Sequence, residues 1–130
     1  MKILVLESSG LVASVAVVTE EKLIGEYTTN FKKTHSQTLL PMMDTLLKMI
    51  GIPVQEMDAI AVSGGPGSFT GLRIGSATAK GLGLALSIPI ISVPTVDAIA
   101  YNLCGTDAVV CPLMDARRNQ TYTGLYTFDG

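Results

Sequence analysis

The apolar positions of the chain change period several times, and each change marks an element. Ile3-Leu4-Val5-Leu6 is a continuous apolar run, which predicts a strand over residues 2–6 buried on both faces. Ser8-Ser9-Gly10 reads as a turn, residues 12–18 as a second β-rich run, and residues 22–28 as a third after the polar pair Glu20-Glu21. Three strands joined by short turns predict an antiparallel meander at the start of a sheet. From Ser36 to Ile50 the period becomes helical. Leu39, Leu40, Met42, Met43, Leu46, Leu47, Met49 and Ile50 then cover about half the helix circumference, where packing on one sheet needs a stripe of roughly 100°. Pro41 lacks an amide donor and belongs in the first turns or at a kink.

Residues 58–63 form the next predicted strand, with Ala59-Ile60-Ala61-Val62 patterned for burial on both faces. The glycine-rich run Gly64-Gly65-Pro66-Gly67-Ser68-Phe69-Thr70-Gly71 follows, with Ser68 or Thr70 suited to cap a helix over residues 71–87. That helix carries Gly75, Gly81 and Gly83, each costing about 1 kcal/mol relative to Ala, so packing has to hold it. Leu72, Gly75, Ser76, Ala79, Leu82, Gly83 and Leu86 share one side, and only Arg73 and Lys80 interrupt an otherwise small or apolar circumference. Gly75, Ala79 and Gly83 form a groove that another backbone can approach. A short strand over Ile90–Val93 and a helix from Pro94 to about Leu103 come next. Strands over residues 108–114 and 121–128 then repeat the opening faintly, with Met114-Asp115 matching Leu6-Glu7. This divides the chain into a domain over residues 1–107 and the opening hairpin of a second, related domain over residues 108–130.

Composition sharpens the picture at a few points. The chain of 130 residues is 48% hydrophobic and only 15% charged, which predicts apolar surface left for a partner. Nine basic and eleven acidic residues give a net charge of -2 with no basic run, so a free-standing binder of nucleic acid by phosphate neutralisation is not expected. Two cysteines, Cys104 and Cys111, form no disulfide framework and read as small core residues in a reducing compartment. His35 is the single histidine, which removes every two-histidine metal motif. The first apolar run ends at Glu7, too soon for a signal sequence, and no uncharged stretch is long enough to span a bilayer. A soluble, cytoplasmic protein without metal or cofactor is expected.

Three places carry candidate chemistry. The glycine loop is not a Walker A motif, yet a strand, a glycine turn and a helix N-terminus can bind an anion; its glycines equally suit a tight turn. Glu7-Ser8-Ser9 ends the first strand, where an acid and hydroxyls can hold a metal-bound phosphate or simply form a polar turn. Asp115-Ala116-Arg117-Arg118 fits either a hairpin turn with a salt bridge or a contact site for a partner. His35, flanked by Thr34 and Ser36, suits a capping or surface role.

The combined pattern resembles the TsaB (YeaZ) family, non-catalytic subunits of the bacterial machinery that makes N6-threonylcarbamoyladenosine at position 37 of tRNA. Residues 3–18, the run His35-Ser36-Gln37-Thr38-Leu39-Leu40-Pro41, residues 63–75 and residues 112–118 carry the resemblance, in the expected order along nearly the whole chain. The resemblance implies an α/β fold of the actin-like ATPase (ribonuclease H-like) kind, with a mixed sheet and flanking helices. One departure is visible: the family's first strand usually ends in Asp-Thr-Ser, and here Glu7-Ser8-Ser9 stands in its place. The catalytic paralogue, TsaD, has two metal-binding histidines whose matching positions here are Thr95 and Ile99, neither able to replace a histidine.

The resemblance thus implies a scaffold and dimerisation subunit with no catalytic residue, bound to a TsaD-like subunit, homodimeric when alone, and touching tRNA only indirectly. The expected interface comprises Leu39, Met42, Met43, Leu46, Leu72, Gly75, Ser76, Ala79, Leu82, Gly83 and Leu86. Glu7, Ser8, Ser9, Gly65, Gly67 and Ser68 form an expected vestigial phosphate site. The alternative is a nucleotide-binding ATPase or phosphotransferase that uses the same turn and loop.

Overall fold

In the computed structural model, which describes residues 1–30 and 35–129 (residues 35–37 by backbone alone), the apolar runs assemble into one mixed sheet. Its strands are β1 (Ile3–Glu7), β2 (Ala13–Val18), β3 (Leu23–Thr29), β4 (Ala59–Ser63) and β5 (Ile90–Val93). They lie in the order β3-β2-β1-β4-β5, antiparallel through β3, β2 and β1 and parallel from β1 to β4 to β5. Short turns give the antiparallel half. Each parallel step needs a crossover, which helices α1 (His35–Ile50) and α2 (Phe69–Leu86) supply.

Alternation decides which face is covered. Leu4 and Leu6 of β1, Val15 and Val17 of β2, and Ile60 and Val62 of β4 share one face and join Leu39, Met42, Leu46 and Leu47 of α1 in the core. α1 lies over β2 and β3 and α2 over β4, and the two helices touch each other. On the opposite face Ile3 and Val5 are only half-buried, so β1 is not covered on both sides as its unbroken apolar run predicts. β4, flanked by β1 and β5, is buried along its whole length. Pro41 sits inside α1, whose preceding residues 31–34, Thr34 among them, lie outside the described part.

Ser68 caps α2 by accepting a hydrogen bond from the Gly71 amide, and Ser87 ends it in a left-handed conformation. After β5, α3 (Thr95–Tyr101) leads to a separate two-stranded sheet, β6 (Leu113–Arg117) and β7 (Gln120–Thr123). These strands are shorter than the apolar pattern predicts. Pro112 interrupts the first run, and only the Val110–Tyr126 bridge extends the pairing. The tail is tied to α3 by the Tyr126 hydroxyl, which donates to Asp97 at 2.6 Å, and by edge-on contact of Tyr101 with Phe128.

Candidate functional site

The parallel strands β1, β4 and β5 end on the same side of the sheet, which brings the Glu7-Ser8-Ser9 turn against the glycine loop. The Ser9 carbonyl accepts from the Ser68 amide at 2.7 Å. A Cβ on Gly67 would lie 2.5 Å from that Ser9 oxygen, so only glycine lets the two turns meet. Gly65 precedes a cis bond to Pro66, and its carbonyl accepts from the Thr95 amide at 2.9 Å. All six residues of the expected phosphate site are therefore gathered in one place.

Several of their polar groups, however, are engaged within the protein itself. The Glu7 carboxylate accepts from the Ser9 amide at 2.6 Å. The fully buried Ser8 hydroxyl donates to the Gly71 carbonyl at 2.8 Å. The Ser68 hydroxyl is the α2 cap, and the Gly64 amide donates to Val93. What the arrangement does chemically is to lock strand, loop and helix together. Ser63 and Thr95 nearby keep buried hydroxyls without a hydrogen-bond partner. Among the described residues no group of three His, Cys, Asp or Glu could hold a metal ion.

The helix pair differs from its expected role in a definite way. Leu39, Met42 and Leu46 are turned onto the sheet and buried, so they do not form an outer docking face; α1 spends that part of its apolar arc on its own core. Met43 is half-covered beside them. The small-residue groove of α2 is likewise filled from within. A Cβ on Gly75 would collide with the Ser8 hydroxyl and press on Val62, one on Gly83 would press on Ile90, and Ala79 is fully buried. What fills this groove is the chain's own side chains, Ser8 after β1, Val62 of β4 and Ile90 of β5. Leu72, Ser76, Leu82 and Leu86 lie at its margins, half-buried.

The outer surfaces carry large apolar residues that the expected interface left out. Leu40 and Met49 of α1 are 48% and 78% exposed, and Phe69 and Leu84 of α2 are 73% and 85% exposed. Large apolar side chains on the solvent side of two touching helices were visible in the sequence, but not which way each helix would roll. Cys104 and Cys111 are both exposed free thiols, not core residues, because each falls in an irregular segment after α3. Asp115 accepts from the Arg117 amide at 2.8 Å and makes no ion pair among the described residues. The turn reading of that stretch holds without its salt bridge, and Arg117, Arg118 and Asn119 all take positive φ there. His35 begins α1, and its side chain lies outside the described part.

A family model described as TsaD: tRNA N6-adenosine threonylcarbamoyltransferase matches residues 22–130. The tRNA threonylcarbamoyladenosine biosynthesis protein TsaB of Bacillus subtilis is 40% identical over 98% of this chain and 56% of its own length. The solved structure of YeaZ from Pseudomonas aeruginosa superposes with a TM-score of 0.87 at 34% identity, over 98% of this chain and 60% of that one.

The chain belongs to the TsaB/YeaZ family.

TsaB of Escherichia coli is 32% identical over 99% of this chain and 56% of its own length, so the chain spans a little over half of the TsaB relatives it matches. The TsaB/YeaZ match also fixes the architecture: the five-stranded mixed sheet with its helices is the actin-like, ribonuclease H-like fold. No helix among the described residues is long and apolar enough to cross a membrane.

Proposed function

We propose that this chain is a scaffold subunit in the biosynthesis of threonylcarbamoyladenosine in tRNA, docking onto a TsaD-like catalytic paralogue and reaching tRNA only through it. Its TsaB relatives are named for that biosynthesis, and a cytoplasmic location suits a protein serving tRNA. One observation carries the docking: Phe69 and Leu84 stand exposed about 60° apart on one side of α2, and Leu40 and Met49 are exposed on opposite flanks of α1, the helix packed beside it. Two large apolar side chains on one side of α2, continued by one flank of α1, favour burial against a second helix pair. Met43, Leu72, Ser76, Leu82 and Leu86 border that surface, while Leu39, Met42, Leu46, Gly75, Ala79 and Gly83 support it from beneath. Without the partner the same surface suits a two-fold homodimer.

The chain supplies no catalytic group in this reading. Glu7 and Ser8 already have partners within the protein, which disfavours a phosphotransferase site built on them. Size-exclusion chromatography with light scattering tests the proposal, run with and without a TsaD subunit. The wild-type chain is expected to co-elute with TsaD, and the double variant Phe69→Glu, Leu84→Glu to lose co-elution at unchanged melting temperature. Retained co-elution overturns the interface. Calorimetric heat from magnesium ATP, lost in Glu7→Gln, would favour the enzyme reading instead.

A further inference from the structure

Among the described residues β5 is an edge strand, short and bounded by Pro89 and Pro94 but without the charged side chains that commonly guard a sheet edge. It pairs only with β4, contains no charged residue, and leaves Ile90 and Ile91 each 40% exposed. The direction of its free backbone groups follows from the ladder. The carbonyls of Pro89 and Val93 accept from Ile60 and Gly64, so alternate residues 89, 91 and 93 face β4. Ile90 and Ser92 therefore turn their amides and carbonyls outward, away from the sheet. The side chains of the same two residues lie on the α2 side, since Ile90 pairs with Ile60, Ser92 pairs with Val62, and Ile90 packs under Gly83.

Between this edge and α2 runs an open groove of about 730 Å³. Val62, Leu72 and Ile90 give it an apolar floor, and Arg73 and Lys80 stand over it. No acidic residue lines it. Neither cation has an acidic partner among the described residues; Arg73 rests over the Phe69 ring at 5.3 Å. Seven residues apart on one helix, the two cations lie about 10 Å apart along its axis. On a protein whose net charge is -2, this is a local site of opposite sign.

We infer that β5 and this groove bind an extended, acidic segment of a partner protein as an added strand. The segment's main chain pairs with the outward groups of Ile90 and Ser92. Side chains on one face, spaced about 7 Å apart, place an apolar residue on the floor and carboxylates beside Arg73 and Lys80. Pro89 and Pro94 bound the edge, so the added strand is short, about four residues long. The inference goes beyond the scaffold reading and does not rest on it.

The test uses a labelled peptide, Gly-Glu-Thr-Val-Thr-Glu-Gly, in which Glu, Val and Glu share a face, and its counterpart with Lys for Glu. Titration followed by amide NMR is expected to shift Ile90 and Ser92 with the acidic peptide. Affinity should fall about tenfold or more in Arg73→Glu, Lys80→Glu, whose side chains are on the surface. Ser92→Pro removes an outward amide without touching the β4 ladder and should weaken binding about as much, with its fold checked by the unshifted core amides. Equal binding of the Lys peptide, shifts elsewhere than β5, indifference to both variants, or no binding would each overturn the inference. So would hydrogen-exchange protection of Ile90 and Ser92 matching that of Ile91 and Val93 without peptide, because the edge would then already be paired. Ser92 is on the sheet and not on the outer helix faces, so this proposal and the scaffold reading fail separately.

Discussion

Gly75 stands directly over the Ser8 hydroxyl, which donates to the carbonyl of Gly71 one helical turn earlier. The tip of the first strand and the start of the second helix are thereby joined by one buried hydrogen bond and one position with no room for a methyl group. Ser8 is fully buried, and that bond satisfies its hydroxyl; without it burial would cost about 1–3 kcal/mol.

Gly75→Ala is expected to destabilise the chain by about 1–3 kcal/mol, because its Cβ would have to displace Ser8 or Val62. Gly81 is the control, since a Cβ there meets nothing within 4 Å. Gly81→Ala should stabilise by about 0.5–1 kcal/mol through helix propensity. Urea unfolding of the two variants checks the contrast, and equal shifts of the same sign would refute the packing account.

Loss of the α2 cap should be felt as strongly as in other helices. Ser68→Ala removes the acceptor for the Gly71 amide and is expected to cost about 1 kcal/mol, with Ser68→Asp recovering most of it. Thermal unfolding of the two variants measures this.

The link between α3 and the tail should depend on pH. The hydrogen bond to Asp97 and the nearby carboxylate charge hold the Tyr126 phenol above the ordinary tyrosine value. A group raised in the folded state stabilises fully below its unfolded pKa, about 10, and loses that contribution as pH climbs through the folded value. Ultraviolet titration of tyrosinate should show one phenol ionising later than the rest. Its disappearance in both Tyr126→Phe and Asp97→Asn identifies it; an unchanged curve in Asp97→Asn contradicts the assignment.

Both thiols should react without unfolding. Cys104 and Cys111 are exposed and free, so a disulfide reagent is expected to modify both as completely in native buffer as in denaturant. A native count below two would return one of them to the interior.

What could be read in advance, and what could not, divides along physical lines. The meander, the buried β4 and a helix cap at Ser68 or Thr70, of which Ser68 is the one used, were legible because strand patterning and capping are local properties. The row Gly75, Ala79 and Gly83 announced a close neighbour, but small residues do not say what approaches; here it is the chain's own Ser8, Val62 and Ile90 side chains. The broad apolar arc of α1 had the same ambiguity. Leu39, Met42 and Leu46 went inward and Leu40 and Met49 outward, because the roll of a helix is set by the sheet beneath it. Glu7, Ser8 and Ser68 were found as polar residues at strand and helix ends; the Glu7 and Ser68 side chains bond locally, whereas the Ser8 bond to Gly71 and the Ser68 amide bond to Ser9 join distant parts of the chain. The free edge at Ile90 and Ser92 emerged only from the ladder direction, which no run of four residues encodes.

The missing side chain at Gly75 also governs a distance elsewhere. Because α2 lies so low on the sheet there, Arg73 and Lys80 hang close beside the rim strand. A bulkier residue that raised the helix, and did not push Ser8 or Val62 aside, would carry both cations off with it. The room for one carbon atom near Ser8 thus bears on the gauge of the channel beside β5.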